Sequence, residues 1–118
     1  MMNLEDIREN RDLVENIDWE MTPEEAITLY LEWGNNWSHG RMIKSRDDVS
    51  HYFVLNSWED PPRVLFIRRN NEGAEELATI DLPDPVRQRF LRSISHHKGV
   101  WGLTEDVRGW LQEELSAN

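Results

Sequence analysis

The chain has 118 residues, no cysteine, and 23 acidic against 13 basic side chains, for a formal net charge of -10. Without cysteine there is no thiol nucleophile, no disulfide and no cysteine-ligated zinc or iron–sulfur centre. The acidic balance makes nucleic-acid binding a poor expectation, while the length and the 38% apolar content suit one folded domain over residues 1–118.

The charge is uneven. Acids exceed bases by eight over residues 1–34 and by four over residues 72–118, whereas bases lead by two in between. The start, MMNLEDIREN, lacks the basic and then apolar pattern of a secretory signal, and no apolar run nears the ~18 residues of a membrane span. The expectation is therefore a cytoplasmic protein with no membrane contact.

In chain order, residues 4–17 place Leu4, Ile7, Leu13, Val14 and Ile17 at helical spacing among charges, which predicts an amphipathic helix with a thin apolar stripe. With its flanks it forms an acidic arm over residues 1–20, loosely docked. Thr22-Pro23-Glu24-Glu25 is a clear helix start: a capping hydroxyl, a proline whose missing N–H costs nothing at the first position, and a glutamate that closes a capping box. A helix follows from Pro23 to about Trp33, apolar around most of its circumference. Gly34 or Asn35 suits its C-terminal cap. Ser45 and Asp48 suggest one further helical turn before the sheet.

Residues 51–58, 63–69 and 75–82 are rich in β-branched and aromatic side chains, and the turn-forming sequences EDPP and NNEG separate them. Connections this short join antiparallel neighbours, so a three-stranded meander is predicted with Val64 to Ile67 in its central strand. Alternation assigns Phe53, Leu55, Leu65, Ile67, Ala78 and Ile80 to one face, and Tyr52, Val54, Trp58, Phe66 and Leu77 to the other. Both faces need cover, from helices or from a second subunit. Asp84-Pro85 opens a helix reaching about His96, and Thr104 caps a last helix carrying Val107, Trp110, Leu111 and Leu115. The fold class is α+β: a three-stranded antiparallel meander flanked by two N-terminal and two C-terminal helices.

Function is less legible. The stretch WGNNWSHGR offers Trp33 and Trp37 as walls, Asn35, Asn36, Ser38 and His39 as polar groups, and Arg41 as an anion clamp. Trp33, Asn35, Asn36, Trp37, His39 and Arg41 are therefore the candidate ligand-binding residues, with Trp58, Arg68, His96 and His97 as outer walls. Capping of the preceding helix by itself accounts for Gly34 and Asn35 and is the favoured reading of those two, but it does not account for two tryptophans flanking two asparagines. His39, His51, His96 and His97 lack the spacing of a helical zinc site, so no metal or other cofactor is expected. Arg41, Lys44, Arg46, Arg63, Arg68 and Arg69, with Tyr52, Trp58 and Phe66, resemble a stacking platform for single-stranded RNA only faintly, and the net charge opposes it.

No nucleophile elbow, phosphate loop or other catalytic constellation is present in the sequence. The leading expectation is a tryptophan-rich, acidic, non-enzymatic module that works through protein contacts and self-associates as a homodimer, given two-sided strands and acidic ends around a basic centre. The alternative is a small-molecule or anion-binding protein, or an enzyme, centred on residues 33–41.

Overall fold

A computed structural model describes residues 2–33, 50–70 and 73–116 of the chain. Its elements run α1 (Leu4–Glu9), α2 (Arg11–Glu15), α3 (Pro23–Trp33), β1 (Ser50–Asn56), β2 (Arg63–Asn70), β3 (Gly73–Asp81), α4 (Asp84–Ser93), β4 (Val100–Trp101) and α5 (Glu105–Leu115). The class is α+β, with helices at both ends of the chain flanking an antiparallel sheet. Among the described residues, no helix is long and apolar enough to cross a membrane.

The single helix expected over residues 4–17 is two. Asn10 ends α1 by donating its N–H to the Ile7 carbonyl at 3.0 Å, and its side chain caps α2 by accepting from Leu13 N at 3.1 Å. An asparagine that satisfies both helix ends makes a break cheaper than continuation. The segment packs closely: Ile7 is fully buried, and the Arg8 and Arg11 guanidinium groups donate to the Glu114 and Leu115 carbonyls at the end of α5. The α3 capping box forms as expected, with Thr22 N donating to Glu25 Oε1 at 3.0 Å and Glu25 N to Thr22 Oγ1 at 3.1 Å. Thr104 Oγ1 caps α5 by accepting from Val107 N at 3.3 Å.

The sheet is ordered β3-β2-β1-β4. The meander of β1, β2 and β3 follows the sequence reading, but its facial assignment is corrected by the register. Phe53 pairs with Phe66 and Leu55 with Val64, so Phe53, Leu55, Val64 and Phe66 share one face, and Tyr52, Val54, Leu65 and Ile67 share the other. Sequence alternation is blind to the offset between strands, which the β1–β2 connection sets. A bulge between Phe66 and Ile67 leaves Leu77 as the extra residue of β3.

Helices of the chain cover both faces. Ile7 of α1, Val86 and Phe90 of α4, and Val107, Leu111 and Leu115 of α5 pack on the Phe53 face. Ala26 and Leu29 of α3 pack on the Tyr52 face. The fourth strand, absent from the sequence reading, is two residues long and pairs Trp101 with Leu55 and Val100 with Asn56 on the outer edge of β1. Further along that edge, Ile17 bridges His51, and Asp18 N donates to the His51 carbonyl at 2.9 Å.

Candidate functional site

The outer edge of β1 is thus filled at both ends by different pieces of chain, and between them lies a cleft of about 250 Å³. Its apolar walls are Trp19, Met21, Ala26, Tyr52, Phe53 and Leu103; Asp18, Thr22, Glu105 and Arg108 supply the polar groups. Each comes from a local feature already described. The Ile17–His51 bridge fixes the turn that carries Trp19 and Met21, the capping box fixes the first turn of α3, and Thr104 fixes the first turn of α5.

Two contacts hold the walls. The Trp19 ring stacks on Phe53 at 5.6 Å between centroids and 24° between planes, and Phe53 stacks on Phe66 at 4.6 Å and 19°. Rings in this range gain attraction beyond their burial. On the other side, Gly102 lies so close to α3 that an added Cβ would stand 2.3 Å from Pro23 Cα. Only a residue without a side chain lets the lead-in to α5 press against the start of α3.

Chemically the cleft offers apolar contact, two carboxylates and one guanidinium. The Thr22 hydroxyl is engaged in the capping box and the Asp18 carboxylate accepts from Glu20 N at 3.1 Å, so both already serve the backbone. Apolar walls with a few polar groups are the usual composition of small-molecule pockets.

The residues singled out from the sequence fare differently. Trp33 is the last residue of α3, and Asn35, Asn36, Trp37, His39 and Arg41 lie outside the described residues, as does the helical turn expected at Ser45 to Asp48. Trp58 stands at the β1–β2 connection, 61% exposed. Arg68 pairs with Glu75 on the neighbouring strand, opposite His51. His96 and His97 follow α4 and line a separate cleft of about 170 Å³ with Ser57, Glu59, Asp60 and Lys98. Among the described residues, no three His, Asp or Glu side chains are placed to hold a metal ion.

The aromatic platform does not assemble, because Tyr52 and Phe66 are buried on opposite faces of the sheet and Arg69 is buried as well. His51 is 9% exposed, its ring 6.2 Å from that of Phe66, with Nδ1 lacking a hydrogen-bond partner among the described residues. Burial, and then the positive charge of Arg68, hold its pKa below the ordinary histidine value.

Trp19, Met21, Tyr52, Phe53, Leu103 and Arg108 were missed as a group because they come from three distant stretches of chain. Only Trp19, standing three residues before the Thr22 cap, carried a local hint. No protein-family model matches the sequence, and no curated protein or solved structure matches it significantly.

Proposed function

We propose that this protein is a small-ligand binding module whose site is the cleft between the starts of α3 and α5. What supports the reading is the cleft's construction: apolar walls drawn from three parts of the chain, with Asp18, Glu105 and Arg108 among its polar groups. Its volume of about 250 Å³ is enough for a compact ligand. The test is a fragment screen followed by amide chemical-shift mapping. Binders should compete with one another and perturb Trp19, Met21, Tyr52 and Leu103; binders that scatter over other surfaces would overturn the assignment.

A second reading keeps the chain as a protein-contact or self-associating module in the cytoplasm. The apolar sheet faces no longer argue for it, since α1, α3, α4 and α5 cover them. What favours it is Trp58, a large apolar side chain 61% exposed beside Glu59, Asp60 and Pro61. Tryptophan in such a position is a common anchor of protein interfaces.

A further inference from the structure

The cleft touches both Tyr52 and Phe53. Consecutive strand residues point to opposite faces, so a space that reaches both lies at the strand's edge, where the outward backbone groups of two otherwise buried residues meet the cleft. The direction of that backbone follows from two hydrogen bonds. Ser57 N donates to the Gly99 carbonyl at 2.9 Å, and the His51 carbonyl accepts from Asp18 N at 2.9 Å. Both point away from β2. Because polar groups along a strand alternate in direction, the N–H and carbonyl of Phe53 point outward too, as do those of Leu55.

Leu55 is paired with Trp101 of β4. Phe53 is not: β4 ends at Trp101, and among the described residues no backbone hydrogen bond joins Phe53 to Leu103, the residue that would continue the ladder. Among the described residues, the outer edge of β1 therefore has a gap one residue wide, presenting a donor and an acceptor side by side at the cleft wall. Backbone groups away from bulk water require partners.

Resting on the cleft reading above, we propose that the ligand is a planar molecule whose edge carries a hydrogen-bond acceptor beside a donor. A primary carboxamide or the lactam edge of a heteroaromatic ring has this form. Its acceptor takes the Phe53 N–H, its donor meets the Phe53 carbonyl, and its ring lies among Trp19, Met21 and Leu103. A protein strand does not suit the gap, because the chain at Asp18 and at Gly102 flanks Phe53 on either side and leaves no room for a second paired residue.

The experiment titrates the uniformly 15N-labelled full chain with benzamide, N,N-dimethylbenzamide and toluene, which offer donor and acceptor, acceptor alone, and neither. Benzamide should bind with a downfield shift of the Phe53 amide proton, and should lose at least about tenfold in affinity on dimethylation, as expected for one hydrogen bond left unmade. Toluene should be weaker still. If all three bind equally and shift Trp19 and Leu103 but not the Phe53 amide, the cleft reading stands and the edge-pairing proposal falls. If none perturbs any cleft residue at millimolar concentration, both fall.

Discussion

Gly102 and Pro23, 79 positions apart in sequence, meet so closely that a methyl group on Gly102 would stand 2.3 Å from Pro23 Cα and 2.9 Å from the Pro23 carbonyl oxygen. Neither neighbour is a flexible chain end, so the backbone itself must yield. Gly102→Ala should destabilise the protein by about 1–3 kcal/mol, the range for overpacking. Urea denaturation checks the stability, and shift mapping should show the disturbance concentrated at Trp19, Met21 and Leu103.

Ser57 is the clasp of β4. Its Oγ accepts from Gly99 N and from Trp101 Nε1, each at 2.9 Å, and donates to the His97 carbonyl at 3.0 Å. Ser57→Ala would leave two partly buried donors unpaired, at a cost of about 1–3 kcal/mol. Native-state hydrogen exchange should show the Trp101 indole N–H exchanging faster, whereas the α4 amides should change no more than the global loss requires.

His51 makes stability depend on pH. Its folded-state pKa lies below the unfolded value of about 6.5, so the unfolded chain takes up a proton first as pH falls. The stabilising effect of neutral His51 is complete above about pH 6.5 and is lost as pH falls from there toward the folded-state pKa. Compared with His51→Phe, the wild type should lose stability more steeply in that interval, by at most about 1.4 kcal/mol per pH unit. Urea midpoints of both proteins at pH 7.5 and 5.5 supply the comparison; equal slopes would show that His51 carries none of the dependence.

Trp58 separates the two functional readings. Being largely exposed, its replacement by alanine should change stability by no more than about 0.5 kcal/mol. If the chain self-associates through this residue, light scattering coupled to size exclusion will show a wild-type oligomer that Trp58→Ala converts to monomer. If both proteins run with the same mass, the exposed tryptophan does not hold an oligomer together.

What the sequence revealed was whatever a few neighbouring residues decide. Thr22-Pro23 and Thr104 mark helix starts because a capping hydroxyl and its target N–H lie within one turn. The strands are legible from alternation, but their offset is not: alternation alone groups Phe53 with Leu65, whereas the register pairs it with Phe66. β4 was invisible because a two-residue strand has no period; Ser57 and Leu55 define it from forty-odd positions away. The cleft is a further step removed. It exists because Asp18 and β4 occupy one edge of β1 without meeting, a relation between three stretches that no spacing in the sequence encodes.

The most direct test of this account is amide hydrogen exchange along β1 in the unliganded protein. Leu55 and Ser57, whose N–H groups are paired to the β4 segment, should be protected, while Phe53 between the two filled ends of the edge should exchange at least about tenfold faster. Protection of Phe53 equal to that of Leu55 would mean that the edge is closed, and would contradict an open recognition cleft at this position.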